Sequence, residues 1–140
     1  MNGKAFVDSN ILIYANDLDA GARHRTAADI LESLWDRRLG VLSPQVLQEF
    51  YVNVTRKIAR PLPRRSARAI VEAYAAWCID TTPADVTAAF RIEDEARIGF
   101  WDALILASAL KAGAERVLSE DLNPGQKIQG LRIENPFAGA

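Results

Sequence analysis

The sequence predicts an α/β fold in which a parallel sheet of four or five short strands carries helices on both faces. Brief apolar runs alternate along the chain with longer segments whose apolar residues recur every three or four positions, as in strands followed by amphipathic helices. The length of 140 residues and the hydrophobic content of 49% match one ordinary domain spanning residues 1–140. A chain of this size buries about two-thirds of its unfolded surface, enough for a core without disulfides or structural zinc.

The first half of the chain predicts two strands and three helices. Gly40 ends a helical pattern, and Ser43 and Pro44 supply an N-cap and a proline at the first position of the next helix. In chain order, the expected elements are a buried strand at 4–8, a helix from 10, an amphipathic helix at 23–38, a strand at 41–42 and a helix from 44 to about 59.

The second half continues the alternation. The segment 60–64 contains two prolines, but helical spacing resumes at once, so we interpret it as a loop rather than a domain linker. Thr82 and Asp85 have the spacing of a capping box, and Gly113 closes the last helix. The expected elements are helical residues 67–77, a strand at 78–80, a helix at 86–96, a loop at 99–101, a helix at 103–112, and strands at 116–119 and 131–134.

Composition excludes several classes of protein. Cys78 is the only cysteine, so no internal disulfide is possible, and its apolar neighbours indicate a small buried side chain rather than a redox centre. No apolar run approaches the ~20 residues that a membrane-spanning helix needs. The amino terminus also lacks a basic segment followed by a long apolar stretch. We therefore expect a cytoplasmic protein that does not associate with membranes.

Four acidic residues each follow a strand-like run or lie in the helix after one: Asp8, Glu49, Asp102 and Asp121. Because ligands bind at the carboxyl ends of the strands in open α/β sheets, we expect these side chains to gather at one edge. Carboxylates brought that close repel each other and must bind protons or hold a cation. A set of hard oxygen ligands without histidine or thiol favours Mg²⁺ or Mn²⁺ over zinc. The pattern indicates a metal-dependent enzyme that acts on phosphates.

Each of these acids also has a simpler structural explanation. Asp8 can cap the helix that follows it, and Asp102 can do the same for the helix from residue 103, at about 1 kcal/mol. Glu49 points away from the centre of the apolar stripe of its helix, where it can form a solvated pair with Arg56. The loop after the strand at 116–119 contains two acids, and either Glu120 or Asp121 can turn inward.

One stretch of the chain is strongly basic. Residues 53–71 contain six basic side chains and no acidic one, which is typical of a solvated helical face or of a surface that binds a phosphate backbone. His24 is the only histidine, so ribonuclease chemistry based on a histidine pair is excluded. Since His24 lies between two arginines at a helix start, we expect it to be solvated or to contact phosphate rather than to catalyse.

Four segments carry a more specific signal, namely residues 6–14 (FVDSNILIY), 43–50 (SPQVLQEF), 101–110 (WDALILASAL) and 118–122 (LSEDL). Together they resemble the PIN-domain nucleases and, within them, the VapC-like toxins of prokaryotic toxin–antitoxin pairs. The segments occur in the family's order and span nearly the whole chain. The resemblance implies a three-layer α/β/α sandwich, Mg²⁺ or Mn²⁺ at the acidic cluster, and endoribonuclease activity.

The resemblance also assigns roles to individual residues. It places the catalytic and metal-binding acids at Asp8, Glu49, Asp102 and Asp121, the last corresponding to a more variable position. Asn10 matches the family's usual polar residue, and Ser119 lies where the family often has serine or threonine near the metal. Because no acidic position is missing, the resemblance implies an active enzyme that hydrolyses RNA with metal-activated water.

Partners follow from the same resemblance. It implies an RNA substrate, a cognate antitoxin that blocks the acidic groove, and a homodimer. The candidates for contacts with the RNA backbone come from the basic stretch and are Arg56, Arg60, Arg64 and Arg65. The identity of the target RNA is not readable from the sequence, because RNA recognition depends largely on shape and loops.

Three other functions compete with this interpretation. A phosphorylated receiver domain needs two adjacent acids after its first strand, which Asp8-Ser9-Asn10 does not provide. A phosphotransferase of the haloacid-dehalogenase type needs Asp-x-Asp where this chain has Asp-x-Asn. A non-catalytic RNA-binding PIN module is disfavoured by the complete set of acids but remains open.

Overall fold

The computed structural model describes residues 3–138, within which five short strands form one sheet in the order β2-β1-β3-β5-β4. The strands are β1 (Ala5–Val7), β2 (Gly40–Val41), β3 (Arg116–Leu118), β4 (Lys127–Ile128) and β5 (Leu131–Glu134). Pairing is parallel between β1 and β2, β1 and β3, and β3 and β5, whereas β4 pairs with β5 in the antiparallel direction. The predicted α/β fold with a short central sheet is thereby confirmed.

Six α-helices connect and cover these strands in the described part of the chain. They are α1 (Ser9–Ala15), α2 (Ala22–Arg37), α3 (Pro44–Arg56), α4 (Arg64–Tyr74), α5 (Pro83–Ala96) and α6 (Phe100–Lys111). The capping box predicted from Thr82 and Asp85 is present at the start of α5. No helix in residues 3–138 is both long and apolar enough to cross a membrane.

The sheet is covered on both faces. Successive residues of a strand point to opposite faces, and Ala5, Phe6 and Val7 of β1 are all fully buried. Residues 103–109 of α6 are buried without interruption, which is typical of a helix that is apolar on all sides. This packing fixes the carboxyl ends of β1 and β3 beside the first turn of α6. Residues 1–2 and 139–140 of the predicted domain lie outside the described residues.

Three predicted helix ends are wrong, one of them the start of α5, which lies at Pro83 rather than near residue 86. Helix α6 begins at Phe100 rather than after residue 102, because Gly99 with an extended backbone occupies the N-cap position, so Asp102 lies in the first turn and does not cap. Helix α3 ends at Arg56 rather than near residue 59. The amide of Leu62 then bonds to the carbonyl of Val54, which turns the chain back along the end of the helix.

The strand predicted at 78–80 is also wrong. Cys78 forms only an isolated parallel bridge with Leu42, since a 3₁₀ turn at Ala75–Trp77 brings the chain to the edge of the sheet for a single residue. Strand β4 was not anticipated. It forms a hairpin with β5 through Gln129 and Gly130, both at positive φ, and a two-residue turn of this kind matches the twist of antiparallel strands.

Ser43 occupies the N-cap position of α3 as predicted, but its side chain makes no capping hydrogen bond. Its hydroxyl is instead buried without a hydrogen-bond partner among the described residues. The proline at the first position and the extended backbone of Ser43 are therefore what start α3.

Candidate active site

Asp8 forms the floor of the candidate site at the end of β1. It follows β1 directly, occupies the N-cap of α1 and is only 7% exposed. Its carboxylate accepts hydrogen bonds from the amide of Ser9 at 2.8 Å and from the hydroxyl of Ser119 at 2.7 Å. Asp8 therefore caps α1 through one carboxylate oxygen, as considered from the sequence. Its other oxygen accepts the bond from Ser119, which follows β3.

Ser119 joins the two strand ends. It follows β3, is fully buried, and its hydroxyl oxygen accepts a bond from the amide of Asp121 at 3.1 Å while donating to Asp8. Asn10 completes the connection, because its side-chain nitrogen donates to Asp121 at 3.1 Å and its side-chain oxygen accepts from the amide of Glu120 at 3.2 Å. The two residues predicted to support the acids therefore hold the loop after β3 against the start of α1.

The pKa values of the acids show that the four predicted side chains share one electrostatic environment. Burial raises the pKa of Asp8, the bonds from Ser119 and Ser9 partly oppose that rise, and Asp121 and Asp102 add to it. Burial likewise raises the pKa of Glu49, with further increases from Asp8, Asp102 and Asp121. The pKa of Asp102 is raised by its burial and then by Asp121. The fold thus brings together acids that are up to 113 positions apart in the sequence.

Gln45 is a site residue that the sequence did not reveal. Its side-chain nitrogen donates to the carbonyl of Trp101 at 3.3 Å, and its side chain, near Glu49, lowers the pKa of that acid against the effect of burial. Gln45 therefore connects α3 with the first turn of α6, the two helices that carry Glu49 and Asp102. A glutamine one turn before a candidate acid on the same helix was the only available signal.

Glu120 faces a different set of partners from Asp121. Burial raises its pKa, but hydrogen bonds from Tyr14 at 2.5 Å and from Arg23 at 2.6 Å outweigh burial and leave that pKa lowered. The pKa of Tyr14 is raised to about 12. The largest cause is its hydrogen bond to Glu120, and the next is burial of the Tyr14 side chain. The ring of Phe137 packs edge-on against Tyr14 at 5.2 Å. Because Glu120 is held in this network, the geometry favours Asp121 as the fourth acid.

Within residues 3–138, the four predicted basic residues form no ion pair with the four acids of the candidate site. Arg60 is largely exposed and forms an ion pair with Asp19 at 2.9 Å. The remaining three candidates lie at the last turn of α3 and the first turn of α4, and are Arg56, Arg64 and Arg65. The surface pair between Glu49 and Arg56 considered from the sequence is absent from the ion pairs within residues 3–138. The ring nitrogen Nδ1 of His24 lies 3.0 Å from the carbonyl of Tyr14.

The chemistry of the site fits a divalent cation, although its ligands are not fully assembled. The side chains that converge supply carboxylate oxygens, and a cation between them would offset the burial and mutual repulsion that raise their pKa values. Within residues 3–138, no three side chains of His, Cys, Asp or Glu are close enough to hold a metal ion as they stand. Binding a cation therefore requires side-chain rotation or ligands bridged by water.

Comparison with known proteins gives a family and a set of similar folds. The family model of the PIN domain matches residues 5–126. Among solved structures, a toxin–antitoxin complex from Klebsiella pneumoniae has a TM-score of 0.68 at 21% identity, covering 96% of this chain and 98% of the other. DNA-bound VapBC from Salmonella typhimurium has a TM-score of 0.65 at 21% identity, with 95% and 98% covered.

A third structure carries a functional description of its own. The sarcin–ricin-loop-cleaving toxin VapC20 of Mycobacterium tuberculosis has a TM-score of 0.59 at 23% identity, covering 81% of this chain and 87% of the other. No curated protein sequence is significantly similar to the chain. At these identities the solved structures establish the fold alone, and the match over residues 5–126 establishes the family.

Proposed function

The chain belongs to the PIN-domain family, and from that premise we propose that it is a Mg²⁺-dependent endoribonuclease toxin that a cognate antitoxin inhibits. The observation that carries the proposal is the convergence of acids from distant parts of the sequence on one sheet edge, where Asp102 and Asp121 raise the pKa of both Asp8 and Glu49. Such perturbed groups in a shared environment are typical of catalytic sites. Structural acids that merely cap helices have no reason to face each other.

In this proposal Mg²⁺, or Mn²⁺ in its place, binds to Asp8, Asp102 and Asp121, with Glu49 as a direct ligand or one acting through water. A bound cation of this kind lowers the pKa of water and offsets charge on a leaving oxygen. The chain's own residues prepare the site. The hydroxyl of Ser119 and the amide of Ser9 favour the charged form of Asp8 against the effect of burial, while Asn10 donates a hydrogen bond to Asp121.

Glu49 has a distinct part in the proposed reaction. It lies in an exposed position on α3, and its pKa is raised by partial burial and by the neighbouring acids. A carboxylate with a raised pKa and access to solvent is suited to accept the proton that an attacking water releases. The water oxygen forms a bond to phosphorus as the bond to the 3′ oxygen breaks. The products are a 5′-phosphate and a 3′-hydroxyl.

Two findings support RNA as the substrate. VapC20, a protein with a similar fold, is a toxin that cleaves the sarcin–ricin loop, which is RNA. The basic stretch at the end of α3 and the start of α4 offers candidates for backbone contacts, namely Arg56, Arg60, Arg64 and Arg65. Arg60 would exchange its bond to Asp19 for a phosphate.

The proposed partners are an antitoxin protein and a second copy of the chain. Two of the similar folds were solved as toxin–antitoxin assemblies, one of them bound to DNA, which supports an antitoxin as the inhibitor. The homodimer rests on the family resemblance, whereas the proposed cytoplasmic location rests on the sequence composition alone. A non-catalytic RNA-binding module is the second candidate, and the observation that favours it is the lack of a ready three-ligand cluster in the described residues.

The test is cleavage of total cellular RNA by purified protein in Mg²⁺ or Mn²⁺, beside an EDTA control. We expect discrete fragments with the native protein and none in EDTA or with Asp8→Asn. Glu32→Gln, at an exposed acid on α2, is the matched control and should cleave normally. Intact RNA at every metal concentration, combined with retained RNA binding, would instead identify the binding module.

A further inference from the structure

An exposed strip of aromatic rings borders the candidate site. Phe90 of α5 is 51% exposed and Trp101 of α6 is 66% exposed, although large apolar side chains are usually buried. Phe100 lies between them, with its ring centre 5.8 Å from that of Phe90 and 5.2 Å from that of Trp101. We call these three residues the aromatic strip. Aromatic rings that contact one another and remain exposed to solvent are typical of a surface that binds a ligand or a partner.

The strip is attached to the acids through the backbone. Trp101 immediately precedes Asp102 in the first turn of α6, and its carbonyl accepts the hydrogen bond from Gln45. Gln45 lies one turn before Glu49 on α3. The backbone of Trp101 is therefore held close to the helix turns that carry two of the four acids. We expect an RNA strand whose phosphate lies among those acids to pass near the first turn of α6.

We propose that Trp101, supported by Phe100 and extended by Phe90, is a stacking platform for an unpaired base of the substrate next to the cleaved bond. The inference rests on the proposed ribonuclease function and assigns the aromatic strip to binding of the substrate rather than to its cleavage. Bases in a duplex stack on one another, whereas unpaired bases are free to stack on aromatic side chains. Such stacking tolerates different bases because every base has a flat face.

Phe100 explains why the platform is rigid. It is partly buried, packs against the core, and meets Trp101 at an interplanar angle of 74° in an edge-to-face arrangement. The indole is therefore braced from one side while its remaining surface stays in solvent. A platform that is already ordered loses little side-chain entropy when a base stacks on it.

The test measures binding without requiring cleavage. A fluorescently labelled, unstructured oligouridine RNA is titrated in the Asp8→Asn background, with Mg²⁺ present, using protein that carries Trp101→Leu or Trp101→Phe. We expect Trp101→Leu to weaken binding on the order of tenfold and Trp101→Phe to retain most of the affinity. Leu18→Ala, at an apolar side chain that is 68% exposed outside the strip, should bind normally.

An RNA with one abasic position adds a readout that a structural role would not move. The abasic RNA should bind less tightly to the background protein, and Trp101→Leu should cause little further loss on it. Equal binding of the oligouridine by Trp101→Leu and the background protein would overturn the proposal. So would loss of antitoxin binding with unchanged RNA affinity, because the strip would then be a protein-docking face.

The two proposals fail in different ways. If RNA binding depends on Trp101 but the native protein cleaves no RNA with any metal, the catalytic proposal is overturned and the platform proposal stands. Metal-dependent cleavage with equal efficiency by native protein and Trp101→Leu would overturn the platform alone.

Discussion

Ser119→Ala tests the hydrogen-bonded centre of the candidate site. The hydroxyl that it removes is fully buried, donates to Asp8 at 2.7 Å and accepts from the amide of Asp121 at 3.1 Å. A hydrogen bond to a charged group contributes about 1.5–3 kcal/mol, and a buried amide left without a partner costs about 1–3 kcal/mol. Because such terms are not additive, we expect a total loss of about 2–4 kcal/mol in the free energy of unfolding near neutral pH.

The size of this loss should depend on pH. Ser119 donates to the ionised carboxylate, so its removal costs most where Asp8 is charged in the folded state and least where Asp8 is protonated in the folded state of both native and variant protein. Urea unfolding of native and variant protein at about pH 8 and about pH 4 measures the difference. In an Asp8→Asn background the cost of Ser119→Ala should also shrink, because the charge-assisted part of the bond is gone.

Ser108→Ala is the matched control, since Ser108 is a buried serine six positions beyond Asp102 on α6. It should cost less than Ser119→Ala and show no dependence on pH. If Ser119→Ala lowers the free energy of unfolding no more than this control at either pH, the role assigned to Ser119 is refuted.

Three other changes give measurable results. Asp8→Asn should raise the free energy of unfolding at neutral pH in metal-free buffer, because the raised pKa of Asp8 makes its charge a cost to the folded state; that cost appears as pH rises above the unfolded pKa of 3.8. Tyr14→Phe should lower the free energy of unfolding by about 1 kcal/mol, through the lost bond to Glu120, as measured by urea. Gly40→Ala should lower it by about 1–3 kcal/mol, measured by thermal unfolding, because its Cβ would lie 2.5 Å from the ring of Trp77.

Contrary outcomes are equally defined. If Asp8→Asn and native protein have the same free energy of unfolding at every pH from 3.8 to neutral, burial does not destabilise the charged form of Asp8. No change for Tyr14→Phe would mean that its bond to Glu120 is lost in solution. Gly99→Ala, where an added Cβ meets nothing within 4 Å, is the control for Gly40→Ala and should lower the thermal midpoint less, since it loses only the preference for glycine over alanine at an N-cap.

The parts of the fold that the sequence predicted are those with a local signal. The strand before Asp8 and the helix after Ser43 and Pro44 are marked by apolar runs and caps within a few residues. Strand β4 has two residues, too few for an alternating pattern, and only Gly130 marked its turn. Helix α6 starts earlier than predicted because glycine can serve as an N-cap without a side-chain bond, and such a start leaves little trace in sequence.

The residues of the candidate site likewise fall into those with a local sequence signal and those without one. The four acids were predicted because each follows a recognisable local pattern, and the sheet then brought them together. The network of Tyr14, Arg23 and Glu120 could not be predicted, since Tyr14 and Glu120 are separated by 106 positions and no pattern within either segment implies the contact. Distinguishing Glu120 from Asp121 therefore required the three-dimensional structure.

The most direct test of the proposed function is the chemical nature of the RNA ends produced in Mg²⁺. If the acids promote attack by water on the phosphodiester, every fragment will carry a 5′-phosphate and a 3′-hydroxyl. A substrate with a 2′-deoxy sugar at the cleaved position should then still be cut. Fragments that end in a 2′,3′-cyclic phosphate, with no cleavage of the 2′-deoxy substrate, would contradict the account, because the 2′-hydroxyl would then be the nucleophile.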